Sequence, residues 1–231
     1  MKRLAIATIL IASVISAHQA AATPINISAN RFIMAGALGI PDILGPNSPS
    51  TALGSFSDSF TPPLLLGDEE VTASQDSNID PAGNFGGSGA ATVGFSVLED
   101  EGIFATSVYD VSFEITTSHS FVLTGDLSAN VDGGRGLALF NLIGPSGFSF
   151  FAMDFGTTSL NSTGTLAPGT YQLLVSALMD RGDLDPQSFM GGTAEFDFNF
   201  QIAHTTIPTP EPGTLALLAL GLAMVGLRRR A

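Results

Sequence analysis

Histidine is the side chain best suited to general base catalysis in this sequence, and one of its three histidines lies away from the two ends. His119 is flanked by Ser118 and Ser120, so a serine–histidine–aspartate hydrolytic site could be built around it. The chain contains neither Gly-x-Ser-x-Gly nor His-Glu-x-x-His, the local motifs of hydrolase nucleophiles and zinc peptidases. A lone histidine between serines is more typical of a solvated turn. We therefore expect no catalytic residue and no enzyme activity.

Neighbouring carboxylates are the second candidate for chemistry. Glu99, Asp100 and Glu101 could supply the acid pair of a glycosidase, but three consecutive acids before Gly102 are typical of a solvated turn. The chain has no Trp and two Tyr, so it has few of the aromatic rings on which sugars stack. This argues against a glycosidase and weakens the case for a carbohydrate-binding module.

Calcium is the ion for which the predicted loops offer the most oxygen ligands. The two candidate groups are Asp180, Asp183 and Asp185 in one loop, and Asp126, Asn130 and Asp132 in another. Neither is an EF-hand, since Val131 and Leu137 stand where the second group would need Gly and Glu. We favour the interpretation that these are acidic loops that bind no specific ion. If calcium does bind, Asp180, Asp183 and Asp185 are the predicted ligands, and we expect no other cofactor. The absence of Cys excludes thiolate nucleophiles, disulfides and Cys-based metal clusters.

The charge is distributed very unevenly along the chain. The formal net charge is −13, yet five of the eight basic residues lie at the two ends. Residues 23–209 contain three Arg, no Lys and 20 acidic residues, and their net charge is therefore −17. Such a region is a poor partner for nucleic acid, which is bound through Lys and Arg.

The N-terminus has the three parts of a secretory signal peptide. Lys2 and Arg3 precede an apolar run over residues 4–15, and small residues then lead to a predicted cleavage between Ala22 and Thr23. The run is short for a bilayer span, which needs about 20 residues, and we therefore favour a signal peptide over the alternative of an N-terminal membrane anchor.

The C-terminus combines a tripeptide, an apolar segment and a basic end. Pro210, Glu211 and Pro212 interrupt any helix, and an uncharged segment rich in Leu, Ala and Gly follows over residues 214–227. The last charged residues, Arg228, Arg229 and Arg230, would stay in the cytoplasm by the positive-inside rule. We predict a short transmembrane helix over 214–227.

This tail resembles the PEP-CTERM protein-sorting signal of exported proteins in Gram-negative bacteria that make exopolysaccharide. The resemblance covers residues 210–231. It implies that an exosortase, a membrane cysteine peptidase, recognises Pro210-Glu211-Pro212 and removes the tail. It also implies a transient inner-membrane anchor, followed by a location at the cell surface or outside the cell.

The middle of the chain has the two-residue period of half-buried strands. The clearest examples are Val111 to Ile115, Tyr171 to Val175 and Phe196 to Ile202, and Leu137, Leu139 and Asn141 indicate a further, central strand. Glycine-rich turns are predicted at 125–126, 132–134, 144–147 and 168–169. Residues 25–32 could form an edge strand, whereas 74–90 are predicted to be a long surface loop.

We therefore predict an all-β fold, an antiparallel β-sandwich or jelly roll, flanked by the signal-peptide helix and the C-terminal transmembrane helix. Residues 108–203 resemble bacterial pre-peptidase C-terminal domains, and Phe56 to Phe60 matches a Phe-x-Asp-x-Phe pattern that names one PEP-CTERM subgroup. The predicted organisation is a signal peptide (1–22), a loop-rich part with few strands (23–90), the sandwich core (91–204), a linker (205–209) and the sorting tail (210–231).

The sequence favours an exported, non-catalytic protein of the cell surface or the exopolysaccharide matrix. Its expected partners are the general export machinery, the exosortase and the matrix polysaccharide. An acidic surface without Lys stays soluble among polyanions. The alternatives are a glycan- or calcium-dependent binding module and, third, a secreted hydrolase.

Overall fold

The computed structural model describes residues 24–37, 49–62, 71–94, 103–132, 135–153, 155–180 and 191–203. These ranges contain eleven strands and no helix: β1 (Ile25–Ala37), β2 (Gly54–Phe60), β3 (Val71–Asp80), β4 (Asn84–Val93), β5 (Ile103–Ile115), β6 (His119–Asp132), β7 (Arg135–Ile143), β8 (Phe148–Met153), β9 (Phe155–Leu166), β10 (Gly169–Asp180) and β11 (Gly191–Ala203).

The strands form two antiparallel sheets. Sheet A has the order β1-β5-β10-β7-β8, and sheet B has the order β2-β3-β4-β11-β6-β9. The all-β prediction is therefore confirmed. The predicted signal-peptide and C-terminal helices lie outside the described residues.

Alternating side chains explain why these segments become strands with one face in a shared core. In β11, Phe196, Phe198, Phe200 and Ile202 are buried while the residues between them are exposed. The same alternation buries Val111, Phe113 and Ile115 in β5, and Tyr171, Leu173 and Val175 in β10. These three predicted strands are confirmed.

Aromatic rings join the two sheets. Tyr109 of sheet A meets Phe198 of sheet B edge to face at 5.0 Å, and Phe85 of sheet B stacks on Phe113 of sheet A at 5.1 Å. Phe140 of sheet A contacts Phe200 of sheet B with ring centroids 6.2 Å apart. Each such pair adds about 0.5–1.5 kcal/mol to the burial of its area. The sandwich is therefore held by packed rings in a chain that has no disulfide.

The prediction of a long surface loop over residues 74–90 is wrong. β3 and β4 fill this range and are joined by a three-residue turn at 81–83. Two of the glycines that suggested a loop are packing positions: a Cβ on Gly87 would lie 2.5 Å from Ser77 Cβ, and one on Gly89 would lie 2.4 Å from the Phe196 ring. Glycine is required here because the neighbouring side chains come too close for any other residue.

The N-terminal part, predicted to be loop-rich with few strands, contributes four strands to the fold. β1 belongs to sheet A, and β2, β3 and β4 form half of sheet B. The predicted edge strand over 25–32 is confirmed, since β1 borders sheet A, and it extends further, to Ala37.

The strand predicted from Leu137, Leu139 and Asn141 is confirmed as β7, which lies inside sheet A. Its buried face is formed by Gly136, Ala138, Phe140 and Leu142, and not by Leu137 and Leu139. Both faces of β7 carry apolar side chains, so alternation of polarity could not indicate which face was buried.

The predicted turn at Gly125 is also absent, because β6 continues through this position. Gly125 has φ +137°, a conformation that L side chains rarely adopt, and a Cβ here would lie 2.1 Å from the Asp197 carbonyl oxygen. Gly125 thus lets β6 pass close to β11. The predicted turn at 144–147 is confirmed, and the Gly147 N–H donates to the Gly144 carbonyl oxygen at 3.2 Å.

Candidate binding face

The outer face of sheet B brings carboxylates from different parts of the chain into one line. The register aligns one residue from each of its six strands: Ser57, Asp76, Ser88, Asp197, Asp126 and Ser159. All six are exposed. We call this line the acidic row.

A second polar row lies next to the acidic row on the same face. It consists of Ser59, Ser74, Ala90, Glu195, Ser128 and Thr157. The Ser128 hydroxyl donates to Glu195 Oε2 at 3.3 Å. These twelve side chains include no large apolar group, and four of them are acidic. The face is therefore dominated by hydroxyl and carboxylate groups.

The two rows border a shallow groove of about 440 Å³. Its lining includes Asp76, Asp126, Asp197, Glu195, Ser88 and Ser128. Carboxylate oxygens accept hydrogen bonds and serine hydroxyls both donate and accept them, so the groove is equipped to bind a polyhydroxylated molecule.

Like charges face each other at the centre of the acidic row. Asp197 and Asp126 are direct partners in the β11–β6 ladder, where opposite Cβ atoms lie roughly 4.5–5.5 Å apart. The Ser159 hydroxyl donates to Asp126 Oδ1 at 2.8 Å and offsets part of this repulsion. The arrangement therefore favours a ligand that donates hydrogen bonds or carries positive charge.

The predicted calcium residues are only partly brought together. Asp126, Asn130 and Asp132 lie along strand β6 and not in a loop, with Asp126 and Asn130 separated by about 13 Å at 3.3 Å per residue. They cannot share one ion. No group of three acidic or histidine side chains within the described ranges is close enough to hold a metal. Asp180 ends β10, while Asp183 and Asp185 lie outside the described residues.

His119 is not the solvated turn residue that we expected. It begins β6, is 5% exposed, and its Nε2 lies 3.1 Å from Thr117 Oγ1. Its burial between the sheets makes it part of the strand's packing. Glu99, Asp100 and Glu101 lie outside the described residues.

Arg31 is a buried cation that sequence reasoning did not single out. Its Nη2 donates to the Ala52 carbonyl at 2.6 Å, and its Nη1 donates to the Gly54 carbonyl at 2.8 Å. Its guanidinium lies 5.1 Å from the centroid of the Phe56 ring. The side chain thus joins β1 in sheet A to the segment that leads into β2 in sheet B. No described carboxylate forms an ion pair with it.

The surroundings of Arg31 shift two ionisation equilibria. Burial lowers the pKa of Arg31, because removal from water disfavours its charged form. Burial raises the pKa of the Tyr109 phenol, and the neighbouring Arg31 charge partly opposes this. The Tyr109 hydroxyl donates to the Asn78 carbonyl at 3.2 Å and so also joins the two sheets.

The acidic row was missed because its members are distant in sequence. Asp76 lies in the segment where Gly, Ser and Asn predict a loop, and Asp126 lies where Gly125 predicts a turn. The only available signal was the alternation of Asp197 with the phenylalanines of β11, which showed that Asp197 faces outward.

The predicted processing sites lie outside the described residues. These are the cleavage position Ala22–Thr23, the tripeptide Pro210-Glu211-Pro212 and the basic end Arg228-Arg229-Arg230. Within the described ranges, no helix has the length and apolar character needed to cross a membrane.

Comparison with known proteins identifies a motif in the C-terminal tail but gives little information on the body of the protein. No curated protein matches the chain. One solved structure that matches is a carbohydrate-binding module in complex with β-1,4-galactotriose, with 11% sequence identity and a TM-score of 0.23. The match covers 49% of this chain and 82% of that one.

The comparison with protein families identifies the C-terminal segment directly. Residues 208–230 match the PEP-CTERM protein-sorting motif. The motif indicates an exported protein that has a C-terminal membrane anchor until an exosortase removes it. The chain thus carries a PEP-CTERM sorting motif behind an all-β body made of two antiparallel sheets.

Proposed function

We propose that the protein is a non-catalytic component of the cell surface or extracellular matrix in an exopolysaccharide-producing Gram-negative bacterium. The observation that carries this proposal is the outer face of sheet B, a broad array of hydroxyl and carboxylate groups on a six-stranded sheet. Such a face keeps its water and repels polyanions, so the protein remains dispersed in an anionic polysaccharide gel. The sorting motif supports the proposal, because it indicates that the protein is exported.

A structural role for the one interior histidine supports the non-catalytic part of the proposal. A general base must reach the substrate proton at hydrogen-bond distance. His119 is 5% exposed, and its Nε2 is already engaged with Thr117.

Changing Glu211 to Gln should block removal of the tail. The substitution keeps the size of the side chain but removes the carboxylate of the Pro-Glu-Pro tripeptide. We expect most of the chain to accumulate in the membrane fraction at its higher, unprocessed mass. Mass spectrometry of the membrane and released fractions measures this.

The matched control is Glu195→Gln, the same chemical change on the exposed face of β11. It should leave processing at the wild-type level. A Glu211→Gln protein with the mature wild-type mass would show that exosortase processing through this tripeptide is wrong.

Glycan binding in the groove of sheet B is the second candidate function. It is favoured by the convergence of Asp76, Asp126, Asp197 and two serines on one groove of about 440 Å³. No exposed aromatic ring is among the described residues that line this groove, so we expect binding by hydrogen bonds in place of stacking, and hence modest affinity.

Calorimetry with the isolated matrix polysaccharide, with and without calcium, tests this second candidate. Asp197→Asn should weaken any binding about five- to tenfold, because a hydrogen bond to a charged group is worth about 1.5–3 kcal/mol and the amide keeps only part of it. The control is Asn161→Asp, which changes an exposed side chain on the edge strand β9. Absence of heat in both titrations would reject the binding function, and calcium-dependent heat would revive the Asp180, Asp183 and Asp185 site.

A further inference from the structure

The chain enters and leaves the sandwich at one end, next to the turn between β3 and β4. The Ile202 N–H, near the end of β11, donates to the Gly83 carbonyl oxygen at 2.9 Å. Pro24 precedes β1 and lies beside the same turn, since a Cβ on Gly83 would be 3.2 Å from Pro24 Cγ. The predicted signal peptide and the sorting tail are therefore both joined to this end of the body.

Four short turns close this end of the sandwich. We call them the turn end, and they are residues 81–83, 116–118, 144–147 and 167–168. Most of these residues are exposed, and none of them is charged. Two carboxylates lie on the adjoining strand ends, and both already accept hydrogen bonds: Asp80 from the Ala82 N–H at 2.8 Å, and Glu114 from Asn26 Nδ2 at 2.7 Å. The turns themselves therefore present neutral groups to the solvent.

The connections at the opposite end of the sandwich are strongly acidic in sequence. The segments that join strands there are 61–70, 94–102, 133–134, 154 and 181–190. They contain nine acidic residues and one Arg, which gives a net charge of −8. Most of these residues lie outside the described ranges, but the strand ends that they join are described. The charge of the connections is therefore concentrated away from the turn end.

We propose that the turn end faces the membrane for as long as the C-terminal tail holds the protein there. The inference rests on the membrane anchor that the sorting motif indicates. Ten residues, 204–213, separate the end of β11 from the apolar segment at 214–227. A flexible chain of this length has a root-mean-square span of roughly 16–19 Å. The thirteen residues of β5 span about 40 Å, so the tether is short compared with the body and holds the turn end close to the lipid.

Charge favours the same orientation. An anionic lipid surface repels nearby carboxylates, and the repulsion falls off within a Debye length, about 8 Å at physiological salt. A body turned over would bring its acidic connections into this layer, and a body lying on sheet B would bring in the acidic row. The turn end brings in neutral groups, so it is the end of the sandwich that an anionic bilayer repels least.

The absence of Cys in the natural chain allows a single fluorescent label at a chosen position. Ala82→Cys places a thiol in the turn end, and Thr61→Cys places one at the opposite end, directly after β2; both positions are exposed. Ser88→Cys is the matched control, midway along β4 on the outer face of sheet B. Each full chain is inserted through its tail into vesicles of phosphatidylcholine and phosphatidylglycerol, which carry an energy acceptor on lipid headgroups.

We expect energy transfer to decrease from residue 82 to residue 88 to residue 61. β3 runs between the two ends and spans about 33 Å, so transfer from residue 82 should be at least about twice that from residue 61. In neutral phosphatidylcholine vesicles at high salt the order should remain, because the tether is unchanged. The difference should narrow there, because the charge repulsion is removed. Thermal melting checks that each labelled chain is folded.

Three results would overturn the proposal. Equal transfer from residues 82 and 61 would show a body that lies on its side or rotates freely. Higher transfer from residue 61 would show the reverse orientation. A chain that does not float with the vesicles would remove the membrane anchor on which the proposal rests. The vesicles contain no exosortase, so these outcomes are independent of whether Glu211→Gln blocks removal of the tail.

Discussion

Replacing Arg31 with Ala should lower the free energy of unfolding by about 2–4 kcal/mol. The change removes the donors that satisfy the carbonyls of Ala52 and Gly54, and it leaves a cavity where a fully buried side chain packed against Phe56. β1 would then be joined to the segment before β2 mainly by the two backbone hydrogen bonds between Arg31 and Ser50. Equilibrium denaturation in urea measures the loss.

Two further variants separate the causes of this loss. Arg31→Lys keeps the charge but loses the forked donor geometry and the planar contact with Phe56, so it should recover less than half of the stability. Arg135→Ala removes an exposed arginine at the start of β7 and should cost less than about 1 kcal/mol. If Arg31→Ala cost no more than Arg135→Ala, the guanidinium would not be what joins the two sheets here.

Replacing Gly125 with Ala should destabilise the protein by about 3–5 kcal/mol. The φ of +137° alone costs a non-glycine residue about 1–3 kcal/mol. The new Cβ would also lie 2.1 Å from the Asp197 carbonyl oxygen, so β6 and β11 must separate locally. Because these strands lie in the middle of sheet B, the loss should appear as a lower urea midpoint for the whole domain.

Gly156→Ala is the matched control for Gly125→Ala. Gly156 lies on β9, and the nearest atom to its added Cβ is 3.6 Å away, an ordinary contact. This variant should be neutral or slightly stabilising, since Ala restricts the unfolded chain more than Gly does. Equal effects of the two substitutions would show that the close approach at Gly125 is not a constraint on the fold.

Strands were predictable from the sequence where their two faces differ in polarity. Phe196, Phe198 and Phe200 alternate with Asp197 and Asn199, and this pattern identifies both the strand and its buried face. In β7 the alternation fails because Leu137 and Leu139, which face outward from sheet A, are as apolar as Phe140 and Leu142, which face the core. A strand with two apolar faces does not show in its sequence which face is buried.

The candidate site could be predicted much less well. Glycine and serine are usually signs of a turn, but Gly87 and Gly89 serve close packing, and Ser88 between them faces the groove. The acidic row exists only after β3, β4, β11 and β6 have paired in one register. No pattern within any one of these strands indicates how the strands align. The sequence therefore does not show that Asp76, Asp126 and Asp197 come together on one face.

The position of β11 sets the order in which the body can fold. The last strand of the body inserts between β4 and β6, and it is therefore the only link between the two halves of sheet B. Those halves cannot close into one sheet until residue 203 has been synthesised. Pairings between distant segments also form slowly. We therefore expect sheet B to be completed only when β11, the last strand of the described residues, is available to pair with both β4 and β6.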